Sequence, residues 1–281
     1  MLGKLMKYEW RGYRFPILVM LAILAGTTLL TCAVIFSFDP IYDEVVTGFS
    51  ILTMTLSILL FYFGIIGCTV GTMLIICIRF YKTCYTDQGY LTHTLPVSSK
   101  QLLNAKIIAA VCAYLLIFLC IVISFYAVGA VFVFHFTSFD VNDAELLRRE
   151  IADVFTEVVA DFKDDFGISF GAFLTLYIFS CIVFCISGII SSMGCVSLGQ
   201  LYAKHRIIGA IVAYFVLQTV MQIFCYIAMI PMYSKMLSNT SAKPIEFFLP
   251  TIIIMLVLYG ALGIGMYFAN LHMMTKKLNL E

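Results

Sequence analysis

The sequence predicts an all-α membrane protein with six transmembrane helices, and the placement of its charges carries that prediction. All 17 Lys and Arg and all 16 Asp and Glu residues fall outside six long apolar runs. The runs are Phe15 to Phe38, Phe49 to Ile78, Ile107 to Phe134, Phe170 to Leu201, Ile207 to Ile230 and Phe248 to His272. Each exceeds the roughly 20 helical residues needed to cross a hydrocarbon core. A water-soluble core would not segregate charge in this way.

The segments between the runs alternate in sign. The first side comprises residues 1–14, the 79–106 loop, the Lys204 and Arg206 turn and the C-terminus, and it holds 12 of the 17 basic residues but only Glu9, Asp87 and Glu281 among the acids. Lys and Arg bias a loop towards the cytoplasm, so both termini are expected there, in a multi-pass protein of the cell membrane. The net charge of +1 conceals this asymmetry and gives no basic face for nucleic acid. The 281 residues are almost consumed by spans and loops, which leaves a single transmembrane domain, residues 1–281, and no room for a soluble catalytic one.

Residues 1–14 read as an N-terminal interfacial helix. Leu2, Leu5, Met6, Trp10 and Tyr13 recur at helical spacing, with Lys4, Lys7, Arg11 and Arg14 opposite. Either a mechanical element or a simple positive-inside anchor satisfies that pattern. The first apolar run is too long for a signal-peptide core and continues past Cys32, so it is read as a retained helix. None of the ten cysteines falls in an outer loop, and no disulfide framework is expected.

In the second span, Gly67 and Gly71 form a G-x-x-x-G face of the kind that lets helices pack closely. The loop that follows, residues 79–106, reads RFYKTCYTDQGYLTHTLPVSSKQLLNAK. Thr86 or Asp87 can cap a short helix, and Gly89 permits close backbone approach. Gln88 belongs to the same turn. Tyr90, Leu91 and Leu95 would be apolar knobs in water unless covered by a partner protein or folded back on lipid headgroups. Pro96 ends that helix before Val97, and Ser98 or Ser99 can cap the next, which is expected to begin near Gln101.

Asp87, Gly89, Leu91, Leu95, Pro96, Val97 and Ser98 together resemble the first cytoplasmic loop of type-2 permeases of ATP-binding-cassette (ABC) transporters. There an acidic residue, a Gly, apolar residues and a Pro-Val-Ser-like turn precede a membrane helix. Leu5 to Glu9, reading Leu-Met-Lys-Tyr-Glu, is similar to the start of Gram-positive members, and the six-span layout extends the likeness to the whole chain. The resemblance implies a cytoplasmic coupling helix in the loop and two permease copies, or this chain with a related one, assembled with two ABC ATPase subunits. No G-x-x-x-x-G-K-[ST] occurs, so ATP and Mg are expected on the partner ATPase and no cofactor in this chain. On that basis the chain is a transport subunit rather than an enzyme, an exporter of an amphiphilic substrate. A membrane sensor that binds an ATPase without moving cargo is the alternative.

The outer loop, residues 137–169, is acidic. Leu147, Ile151, Val154, Phe155, Val158 and Phe162 follow helical periodicity, which predicts an outer amphipathic helix, either capping an exit path or resting on the bilayer. An outer elaboration here departs from the many family members that place it before the last span. In the fourth span Ser187, Ser191, Gly194 and Cys195 form a small-residue strip, read first as helix packing. In the fifth, Gln218 and Gln222 lie one turn apart at membrane depth, where amides need partners. They are candidates for a substrate path or for helix-to-helix hydrogen bonds worth about 0.6 to 2 kcal/mol each. No span contains a carboxylate, Lys or Arg, which argues against an ion-coupled carrier. His93, His135, His205 and His272 all lie at span ends or in loops, so neither a catalytic nor a metal constellation is visible.

Overall fold

The computed structural model describes residues 2–37, 48–86, 88–89, 97–136, 156, 159, 162–163, 167–202, 205–238 and 245–276. Six helices follow in order: α1 (Leu2–Ser37), α2 (Gly48–Tyr85), α3 (Ser99–Phe136), α4 (Phe170–Gly199), α5 (Arg206–Ser238) and α6 (Ile245–Lys276). All six are long and apolar enough to cross a bilayer, and the described residues contain no strand.

Four helices overrun their apolar sequence by seven or more residues at one end, α5 among them, which continues from Ile230 to Ser238. α1 passes without a break from residues 2–14 into the first span, so the boundary expected between an interfacial helix and that span is absent. Pro16 sits at the junction and has no N–H to give the carbonyl of Gly12, yet the helix continues through it. α2 continues from Ile78 to Tyr85, and α3 starts at Ser99 rather than near Gln101. No breaker precedes Thr86, and Ser98 stands immediately before the first helical residue of α3, so both stems of the 79–106 loop are helical.

The chain forms two compact units, Met1–Ile78 with Gln101–Glu145, and Arg79–Lys100 with Leu146–Glu281. In the first, α1 and α2 run antiparallel. Thr31 Oγ1 donates to the Ser57 carbonyl at 3.1 Å, and Cys68 Sγ approaches the Met20 carbonyl at 3.4 Å. The close approach falls at Gly64, where an added methyl would lie 2.8 Å from Thr27 Oγ1, and at Gly71, where it would lie 2.6 Å from Met20 Cε. Gly67 is exposed and meets nothing within 4 Å. Gly64, Cys68 and Gly71 therefore share the face turned to α1, while Gly67 is rotated off it by the 3.6-residue period. α3 joins through the edge-to-face contact of Phe61 and Phe125, at 5.5 Å between centroids.

In the second unit α4 packs along α6, and the contacts advance in the same sense on both. Phe184 meets Tyr259 edge-on at 5.1 Å, Ser187 donates to the Tyr259 carbonyl and lies against Gly263, and Gly194 lies under Met266. The two helices therefore run parallel, with small residues at their interface. The α4–α5 turn is equally close. A methyl at Gly199 would fall 2.5 Å from the Ala210 backbone nitrogen. Of the outer loop, Thr156, Val159, Phe162 and Lys163 are helical. Gly167, at φ +69°, donates its N–H to the Lys163 carbonyl, a left-handed turn that suits glycine. Phe162 packs on Phe170 and Phe173, at 5.4 and 5.2 Å. The other positions of the predicted outer helix lie outside the described residues.

Candidate functional site

The loop between α2 and α3 is approached most directly through its entry. Tyr85, the last residue of α2, is buried, with its ring edge-on to Phe80 at 6.1 Å. Its hydroxyl donates to Ser197 Oγ on α4 at 2.8 Å. Ser197 in turn donates to Asn270 Oδ1 on α6 at 2.6 Å, and Asn270 Nδ2 donates to the Ile190 carbonyl of α4 at 3.2 Å. Ser197 and Asn270 have no exposed surface. Three helices are thus joined by one chain of donors, with the Ser197 hydroxyl also within 3.3 Å of the Met193 carbonyl of its own helix.

Beyond Tyr85 the chain turns at once. Thr86 Oγ1 donates to the Lys82 carbonyl at 2.6 Å, and the Gly89 N–H donates to the Thr86 carbonyl at 2.6 Å. Gln88 is exposed and Gly89 buried, both in helical conformation, and Val97 is half-buried. Asp87, Tyr90, Leu91, Leu95 and Pro96 lie outside the described residues. At the loop's exit, Ser98, Ser99 and Lys100 border an open groove of about 770 Å³ whose other wall carries Phe268, His272 and Thr275 of α6. Entry and exit of the loop thus both address the last three turns of α6.

In the first unit, Lys106 Nζ meets Glu9 Oε1 at 2.6 Å, with the two side chains 2% and 9% exposed. This buried ion pair ties α1 to α3 seven residues after the start of α3.

The fifth-span amides bond within their own helix rather than to a neighbouring one. Gln218 Nε2 donates to the hydroxyl of Tyr214 at 3.3 Å, and Gln222 Nε2 to that of Tyr226 at 3.2 Å, both one turn away on α5 itself. Gln218 is half-buried and Gln222 exposed. These bonds stay within one helix, because a tyrosine at i±4 lies over the same face as the amide.

Sequence reasoning passed over Tyr85, Ser197, Asn270 and the Glu9–Lys106 pair. Asn270 was within reach, since it is an amide inside the sixth apolar run, like Gln218 in the fifth. Glu9 carried a signal too, as the one acid among the basic residues of the first fourteen. Among the described residues no group of three His, Cys, Asp or Glu side chains could hold a metal ion. Comparison with protein-family models, with curated proteins and with solved structures returns no match.

Proposed function

We propose that this chain is the membrane-spanning permease subunit of an ABC transporter, exporting an amphiphilic substrate and driven through residues 86–97 by a separate ATPase. The observation that carries the reading is the 86–97 loop itself. It has an acid-Gln-Gly turn followed by apolar residues and Pro96-Val97-Ser98, it is held between two helical stems, and no phosphate-cradling motif occurs anywhere in the chain. The apolar residues of such a loop call for a cover, and an ATPase subunit is the cover that the resemblance implies. The basic residues of 1–14 would lie at the cytoplasmic face, and a second permease copy would complete the pathway.

The test is purification of the full-length tagged chain from its own host in mild detergent, followed by reconstitution in nanodiscs. An ABC ATPase in stoichiometric amount, with vanadate-sensitive ATP hydrolysis stimulated by amphiphilic compounds, is the expected result. A chain that purifies alone, or that hydrolyses ATP by itself, overturns the reading. Hydrolysis that no compound stimulates, with no vectorial movement of any, returns the chain to the class of ATPase-bound sensors.

A further inference from the structure

We infer that Tyr85, Ser197 and Asn270 are positioning residues that grip the loop's entry to the α4–α6 helix pair, so that displacement of the loop moves those two helices as one body. The inference deepens the proposed function and rests on it for the direction of force. The grip itself rests on geometry alone.

Four observations converge. The donor chain starts at the residue immediately before the loop and ends on α4 and α6, with Ser197 and Asn270 fully buried. The tyrosine proton is used on Ser197, the serine hydroxyl reaches Asn270 Oδ1 at 2.6 Å and the Met193 carbonyl of its own helix at the longer 3.3 Å, and the amide nitrogen is used on Ile190, so loss of the shorter serine bond strands Asn270 Oδ1. The α4–α6 contact is close enough to act as a unit, with Ser187 against Gly263 and Gly194 under Met266. The loop's exit, Ser98 to Lys100, borders a groove against the same stretch of α6 that carries Asn270. A pull on the loop's entry is therefore resisted, and transmitted, at the end of α6, which the loop's exit also faces across the groove. Phe80 offers Tyr85 an apolar neighbour that a phenylalanine would keep, so the hydroxyl alone can be removed while the ring stays packed.

The experiment uses the full chain in nanodiscs, with whatever ATPase accompanies it, as parent, Tyr85→Phe, Ser197→Ala and the double variant. Amide hydrogen exchange at Thr86 to Gly89 is the first readout. Spin labels at exposed Tyr177 of α4 and exposed Ile207 of α5 report, by pulsed electron resonance, whether α4 moves between the nucleotide-free and the ATP–vanadate states. In Tyr85→Phe, exchange at Gly89 is expected to rise about tenfold, the signature of a lost local restraint. The vanadate-linked distance change is expected to vanish while ATP hydrolysis continues. The double variant is expected to be no worse than Ser197→Ala, because the two share one bond. If Tyr85→Phe does not fold, judged by size exclusion, Ser197→Ala carries the same two readouts. Unchanged exchange at Gly89 in the variants overturns the grip. Raised exchange with an undiminished vanadate response overturns its role in transmission. Absence of any ATPase from the parent overturns the proposed function instead, and the exchange readout then decides the grip by itself.

Discussion

Glu9 and Lys106 show what single residues contribute here. Removing one partner of a buried ion pair leaves the other charge uncompensated, which costs about 3–5 kcal/mol, whereas replacing both with apolar groups of similar size is often neutral. Glu9→Ala or Lys106→Ala should therefore lower the melting temperature of the detergent-solubilised chain sharply. The double change Glu9→Leu with Lys106→Met should recover most of the loss, and scanning fluorimetry on the four proteins checks this. A double variant as unstable as the singles would show that further partners of these side chains matter more than the pair. At this scale the sequence was least legible. Lys106 looked like one more positive-inside charge, and whether a charge at a span end is solvated or paired depends on which helix lies beside it. A one-dimensional count of Lys and Arg contains no such term.

Elements were far more legible, because a bilayer imposes length and polarity on each helix. All six apolar runs became helices, and their ends moved mainly where α1, α2, α3 and α5 extend beyond the apolar sequence. Glycine roles were not legible in the same way. A G-x-x-x-G spacing names a face, but a shift of one residue rotates it by about 100°, and the glycines that touch α1 are Gly64 and Gly71. Gly199→Ala should be the most damaging of the simple glycine changes, since its new methyl meets the Ala210 backbone, which cannot swing aside. The cost should reach the upper part of the roughly 1–3 kcal/mol typical of overpacking. Gly71→Ala should cost less, because Met20 Cε is the free end of a flexible side chain. Gly67→Ala and Gly188→Ala, with open space at both positions, should leave the melting temperature of the isolated chain unchanged. If Gly67→Ala destabilises only the assembled complex, that glycine packs against a second subunit.

For the whole molecule the prediction is orientation. On a background without native cysteines, single cysteines at Ser138, Asp153 and Ser238 should react with an impermeant maleimide added outside cells, and those at Ser98 and Lys276 should not, because Lys and Arg set the topology. Labelling of Ser98 from outside would remove any access of a cytoplasmic ATPase to the loop. If the proposed function holds, Gly89→Val and Leu95→Asp should abolish ATP-driven movement of cargo without reducing membrane insertion. The first crowds a buried backbone turn, and the second would put a charge into the apolar surface proposed to meet the ATPase. A transport assay run beside an ATPase pull-down separates loss of coupling from loss of the partner.

The overrun of α2 and α3 also sets a height. From Arg79 to Tyr85 and from Ser99 to Lys106 each stem adds about two turns, on the order of 10 Å of rise. One leaflet's headgroup layer is only about 5–8 Å deep. On the proposed topology the two stems reach past the lipid phosphates, and they carry Arg79 and Lys82 on α2 and Lys100 and Lys106 on α3. If the proposed ATPase docks on the loop beyond these stems, the strength of its docking should be insensitive to acyl-chain length. The fraction of anionic lipid is a different matter, because Lys82 and Lys100 are exposed basic residues of those stems. In nanodiscs of graded phosphatidylglycerol content, the affinity of the docked subunit should follow surface charge rather than bilayer thickness.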